Sequence, residues 1–146
     1  MILKIKKINP EATIPKYATS GASGLDLMSV EKYNIFAGEK QLVKTGIALE
    51  IPEGYVGHVC SRSGLALKSG VFVLNAPGII DPDYKGDTDE IGVILFNTGS
   101  DFKEFIVEKG DRIAQLVIVP APKFEIYEVE SLNNNSRGGF GSTGKK

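Results

Sequence analysis

Apolar residues recur along this chain in short runs and never settle onto the 3.6-residue period of an amphipathic helix. Near the N-terminus they alternate with lysines, as where Ile5 sits between Lys4 and Lys6. Later runs rich in Val, Ile and aromatics are bounded by Gly, Pro, Asn and Asp clusters. The pattern predicts strands over residues 2–7, 24–29, 40–51, 55–61, 71–75, 79–81, 91–97, 103–108, 112–119 and 123–129. One short helical turn is expected after Ser63, in Gly64-Leu65-Ala66-Leu67-Lys68-Ser69-Gly70. Pro77-Gly78 suits the centre of a type II turn, so residues 73–75 and 79–81 are expected to pair as a tight hairpin. So many short strands predict an all-β chain built as a sandwich, jelly roll or barrel. From Asn133 to Lys146 the only large apolar side chain is Phe140. A folded domain over 1–132 with a mobile tail over 133–146 is therefore expected.

Composition narrows the choice of function. With 146 residues, 42% of them hydrophobic and 24% charged, the chain has enough apolar material for one domain without disulfides or a structural metal. A net charge of −1 argues against nucleic acid or anionic lipid as the partner, because both select a basic surplus. The lysine-interrupted N-terminus is not a signal peptide and no run is long enough to span a membrane, so a cytoplasmic protein is expected. Cys60 is the single cysteine and His58 the single histidine, which excludes an intramolecular disulfide and a multi-cysteine zinc site. A Ser/His/Asp triad would have to use His58, but Ser61 lies three residues on in a strand and points to the opposite face.

Four segments carry candidate chemistry. Ser61-Arg62-Ser63-Gly64-Leu65-Ala66 follows a strand and joins a guanidinium fork, hydroxyls and backbone N–H groups, a set suited to a phosphate or to an ordinary polar turn. In the segment from Val73 to Asp87, fixed backbone groups near Gly78 can read a base edge that the flippable amide of Asn75 cannot read alone. Asp81 precedes Pro82 and is biased toward extended backbone, which would steady a carboxylate able to deprotonate water; a plain turn is the other reading. In Gly110-Asp111-Arg112-Ile113-Ala114-Gln115-Leu116, strict alternation puts Gln115 in one row with Ile113 and Val117. Its amide then needs a partner, either a ligand phosphate or a backbone group. In the tail, Phe140 can stack on a base, and Ser142 and Thr143 lie among glycines that let a chain fold over a ligand.

Together with Ala18-Thr19-Ser20-Gly21-Ala22-Ser23-Gly24-Leu25-Asp26-Leu27, residues 61–68, 73–87, 110–116 and 137–144 resemble, in order, the five motifs of the trimeric dUTPase family. The resemblance implies an all-β, distorted jelly-roll or barrel-like subunit and a homotrimer whose active sites take residues from all three chains. It implies hydrolysis of dUTP to dUMP and pyrophosphate, which keeps uracil out of DNA and supplies dUMP for thymidylate synthesis. It further implies Mg²⁺ held mainly by triphosphate oxygens and waters, with Asp26 meeting the metal through water or supporting the site. Asp81 would orient the attacking water. Asn75 and the backbone of Gly78 and Ile80 would hold uracil, and Tyr84 would pack on the deoxyribose and exclude a 2′-hydroxyl. Arg62, Ser63, Gly64 and Gln115 would bind phosphates. Phe140 would stack on uracil while Arg137, Gly141, Ser142 and Thr143 close over the phosphates.

Two departures from the family pattern stand out. Asp87-Thr88-Asp89-Glu90 makes the loop before the next strand about three residues longer than the commonest form, and Arg137 lies two residues closer to Phe140 than the usual arginine. The alternatives are a dCTP deaminase, which resembles this family in fold, and a nucleotide-gated protein that binds a regulatory partner.

Overall fold

The computed structural model describes residues 1–99, 104–132, 135, 136 and 138. In chain order these residues form β1 (Lys4–Lys7), β2 (Leu25–Met28), β3 (Tyr33–Ile35), β4 (Lys40–Lys44), β5 (Ile47–Glu50), β6 (Tyr55–Cys60), α1 (Ser63–Ser69), β7 (Val71–Val73), β8 (Gly78–Ile80), β9 (Gly92–Asn97), β10 (Phe105–Val107) and β11 (Arg112–Pro120). A four-stranded sheet ordered β2-β11-β6-β8 faces a three-stranded sheet ordered β4-β9-β7, and the pairs β1-β5 and β10-β3 extend the wall. Every ladder among the described residues is antiparallel. Leu27, Val59 and Leu116 from the first sheet meet Val43, Val71, Val93 and Leu95 from the second in one core. The result is the expected all-β distorted jelly roll. Among the described residues no helix is long and apolar enough to cross a membrane.

Four departures from the strand pattern have identifiable causes. The single strand expected over 40–51 is two, because Gly46 turns the chain with φ +70 and packs so closely that a Cβ there would lie 2.9 Å from that of Ala12. β4 then pairs with β9 and β5 with β1. β3 was not foreseen, since three residues with only Ile35 fully buried are too short to show alternation. The expected hairpin over 73–75 and 79–81 does not form. The Ala76–Pro77 bond is cis, and β7 joins β9 while β8 crosses to the other sheet and pairs with β6. Burying Val71 and Val73 on one sheet and Gly78 on the other requires that crossing.

The strand expected over 123–129 is absent as well. β11 ends at Pro120, and beyond it Phe124 is 81% exposed and Ile126 95% exposed. Its pattern suits a strand, but nothing within the described chain pairs with it.

Candidate active site

The polar centre of the molecule begins with Asp26, which is 6% exposed in the otherwise apolar strand β2. A buried carboxylate requires cations and donors, and three side chains supply them. Arg112 Nη1 donates to Oδ2 at 3.2 Å, Gln115 Nε2 donates to Oδ1 at 3.4 Å, and Arg62 Nε stands 3.5 Å from Oδ1. Arg62 also donates through Nη1 to the Arg112 carbonyl at 2.8 Å, so the two guanidinium groups are held beside each other around one carboxylate. The backbone that presents Arg62 is fixed nearby: Arg62 is the extended residue that leads into α1, and Ser61 Oγ accepts a bond from Val73 N at 2.9 Å.

A β-bulge brings Arg112 and Gln115 to the same face. On β11 they are three residues apart and would point in opposite directions in a regular strand. Opposite Met28, Leu27 and Asp26 lie Arg112, Ala114 and Gln115, so Ile113 is the extra residue. Ile113 turns into the core at 2% exposure, and the row expected to join Ile113, Gln115 and Val117 is broken there. Gln115 finds its partner in a side-chain carboxylate, where sequence reasoning offered a ligand or a backbone group. Sequence reasoning assigned no role to Arg112. Its spacing from Gln115 was visible, but the bulge that unites them was not. Ser63 and Gly64 stand exposed in the first turn of α1 beside this cluster.

Asn75, Gly78, Ile80, Asp81 and Tyr84 form a second group. Gly78 lies against Val59 of β6, and a Cβ on Gly78 would be 3.3 Å from Asn75 Nδ2, so Asn75 and the Gly78 backbone share one corner. Ile80 is half-buried against the core and Asp81 is exposed. The Tyr84 amide donates to the Asp81 carbonyl at 3.1 Å, closing a turn over Asp81-Pro82-Asp83-Tyr84. The Tyr84 hydroxyl donates to the Glu90 carbonyl at 3.1 Å while the ring remains 42% exposed.

Strand register gives the distance between the two groups. Asp26 is level with Gln115 and Cys60, whereas Ile80 is level with Gly57, three residues further along β6 and three strands away from β2. At about 4.8 Å between strands and about 3.3 Å per residue, Ile80 is about 17 Å from Asp26 between backbones along the sheet, and Asp81 lies one residue further. The chain thus brings Asp26, Arg62 and Gln115 together, and Asn75 with Gly78, but holds the two sets apart. Arg137, Phe140, Gly141, Ser142 and Thr143 lie outside the described residues. Among the described residues no group of His, Cys, Asp or Glu side chains is placed to hold a metal ion by itself.

Comparison with known proteins gives the family. The dUTPase family model matches residues 10–144. The chain is 56% identical over 149 residues to a deoxyuridine 5′-triphosphate nucleotidohydrolase of Hydrogenobaculum sp. strain Y04AAS1, covering 100% of both, and 52% identical to one of Nautilia profundicola, covering 99% of this chain and 100% of that one. Its fold superposes with a TM-score of 0.86 on the G164S mutant of the Staphylococcus bacteriophage 80alpha dUTPase with dUpNHpp, at 32% identity and covering 98% of each chain. A dUTPase from Staphylococcus aureus phage phi11, described with a structural Mg(II) ion, gives 0.81 at 27% identity, covering 92% of this chain and 100% of that one. The chain belongs to the dUTPase family.

Proposed function

We propose that this chain hydrolyses dUTP to dUMP and pyrophosphate in sites completed by a second and a third copy of itself, as a homotrimer acting in the cytoplasm. The observation that carries the shared site is the separation of Asp81 from the Asp26–Arg62–Arg112–Gln115 cluster. A carboxylate that activates water must lie within about 3 Å of that water, and the water within about 3.5 Å of the phosphorus it attacks. A backbone separation of about 17 Å within one chain leaves Asp81 remote from the phosphate-binding groups, which supports a site shared between copies. The exposed apolar segment around Phe124 and Ile126 supports the same reading, since it offers a strand-forming edge for another copy to cover.

In the completed site the Asp81 carboxylate orients a water and takes its proton as the oxygen attacks the α-phosphorus. The bond from that phosphorus to the bridging oxygen breaks, and pyrophosphate leaves with the bridging oxygen. Asn75 and the backbone of Gly78 and Ile80 hold uracil, and Tyr84 lies against the deoxyribose. Arg62, Arg112, Ser63, Gly64 and Gln115 bind phosphates, and Asp26 holds the guanidinium groups in place before substrate arrives. Phe140 stacks on the base, and Arg137, Gly141, Ser142 and Thr143 of the 133–146 tail close over the phosphates. Mg²⁺, when bound, neutralises triphosphate charge. The donor set fits an ion carried by the substrate: a carboxylate has about four acceptor sites, three of Asp26's are engaged, and the remainder suits a metal-bound water.

Pyrophosphate release with Mg²⁺ from dUTP, but not from UTP, dTTP or dCTP, is the expected result for substrate. The shared site is tested by mixing. Asp81→Asn and Arg62→Ala chains, each inactive alone, should regain roughly a quarter of wild-type activity when refolded together, because random mixing places an intact Asp81 opposite an intact Arg62 in that fraction of sites. No recovery in the mixture means that each chain carries its own site.

A further inference from the structure

The loop Asp87-Thr88-Asp89-Glu90 has no part in the scheme above, yet it is bonded more fully than a plain connector needs to be. Inside it, Asp89 Oδ2 accepts from the Gly86 amide at 2.6 Å, the Asp89 amide donates back to the Gly86 carbonyl at 3.0 Å, and the Glu90 amide donates to the Thr88 carbonyl at 2.8 Å. At its end the Glu90 carboxylate accepts from the Gly46 amide at 2.8 Å. The next residue continues the attachment. The Ile91 amide donates to the Ile47 carbonyl at 2.8 Å, and the Ile91 carbonyl accepts from Thr45 Oγ1 at 2.5 Å. Thr45-Gly46-Ile47 is fixed in turn, since the Gly46 carbonyl accepts from the amides of Ile8 and Asn9 and Ile47 is buried in the core. Glu90 is therefore clamped to one of the most constrained junctions of the fold.

The clamped residue's own carbonyl accepts the Tyr84 hydroxyl at 3.1 Å. Tyr84 is thus held at two ends, its amide on the Asp81 carbonyl and its hydroxyl on the Glu90 carbonyl, while the residue stays exposed. We propose that Glu90 is a positioning residue for Tyr84: its side chain, anchored on Gly46, fixes the carbonyl that holds the Tyr84 hydroxyl, and so sets how closely the ring meets the sugar and how strongly a 2′-hydroxyl is refused. This rests on the reading that the chain hydrolyses dUTP with Tyr84 against the deoxyribose. The energetic logic is steric. A ring held at both ends cannot move aside for one added oxygen, whereas a ring held at one end can.

The measurement is the ratio of kcat/KM for dUTP to that for UTP, with thermal midpoints recorded alongside. Glu90→Ala should lower the ratio about tenfold, chiefly by admitting UTP, as expected for the loss of one orienting hydrogen bond. Glu90→Gln retains an amide oxygen that can accept from Gly46 and should keep the ratio within about twofold of wild type. Tyr84→Phe, which removes only the hydroxyl, should reproduce the Glu90→Ala loss, and the double variant should be no worse than Tyr84→Phe alone because both changes break the same link. Equal losses on dUTP and UTP with an unchanged ratio would make Glu90 merely structural and overturn the proposal; so would a Tyr84→Phe enzyme of undiminished selectivity, even if Glu90→Ala failed to fold. Wild-type protein that releases no pyrophosphate from dUTP overturns the underlying substrate reading, and this proposal with it.

Discussion

The cluster around Asp26 and the segment from Asn75 to Tyr84 contrast in their degree of completion. Asp26 is buried and three side chains converge on it, so Arg62, Arg112 and Gln115 are oriented without a ligand. Asp81 is exposed, and among the described residues no hydrogen bond or ion pair holds its carboxylate. The difference follows from position. Asp26 faces Gln115 where β2 lies against β11 over the core, whereas Asp81 follows the short strand β8 at the opposite edge of the sheet and is exposed. A buried charge must be satisfied within the chain or the fold is penalised, while an exposed carboxylate at an edge stays solvated at no such cost.

Metal removal tests what neither region supplies. With no protein cage among the described residues, chelation by EDTA should abolish pyrophosphate release while leaving the thermal midpoint of the free protein unchanged; a falling midpoint would reveal an ion bound by the protein itself. Asp81→Asn comes next. It should lower turnover by about 10²–10⁴-fold with dUpNHpp affinity held within about threefold and stability unaffected, as for loss of a general base that the fold does not use. Near-normal turnover would remove Asp81 from the mechanism. Asp26→Asn reverses the pattern by leaving two guanidinium groups facing each other without a countercharge. Urea unfolding should show a loss of roughly 2 kcal/mol, below the cost for a fully buried pair because Arg62 and Arg112 are 25% and 50% exposed, together with a raised KM for dUTP. Unchanged stability would mean the cluster is solvated and not preorganised.

The smallest effect concerns Tyr33, which lies near the Glu90 anchor. Burial, with the nearby carboxylates of Glu31 and Glu90, raises its phenol above the ordinary 10.0, although the Lys44 amide bonded to its oxygen works the other way. The folded state therefore favours the neutral phenol. That contribution is fully present below pH 10 and is lost as pH rises through the higher folded value. Urea midpoints of wild type and Tyr33→Phe should converge as pH rises above 10; parallel lines would show that Tyr33 titrates alike in both states.

Much of the site was legible because its residues lie in short segments of distinctive chemistry. Arg62-Ser63-Gly64, the Asn75 to Tyr84 run and Gln115 could each be singled out locally. What linked them could not. Arg112 went unassigned because its reach to Asp26 depends on a bulge at Ile113, and strict alternation gives no warning of a bulge. The hairpin expected around Pro77-Gly78 failed for a related reason. Turn propensity describes four residues, while the sheets that compete for Val71, Val73 and Gly78 are assembled from strands far apart in the chain.

The sequence by itself determined the all-β class and most of the strands, because a period of two over four or more residues requires only local side-chain burial. It also singled out the segments proposed to carry phosphate-binding and base-reading groups. Only the tertiary structure decided that β7 and β8 separate into different sheets, that residues 123–129 stay unpaired in the single chain, and that Asp81 lies three strands and four residues away from Asp26 in the sheet. Those outcomes depend on which strands share hydrogen-bond ladders. Ladder partners are chosen by burial and closure over long sequence separations, which no local pattern records.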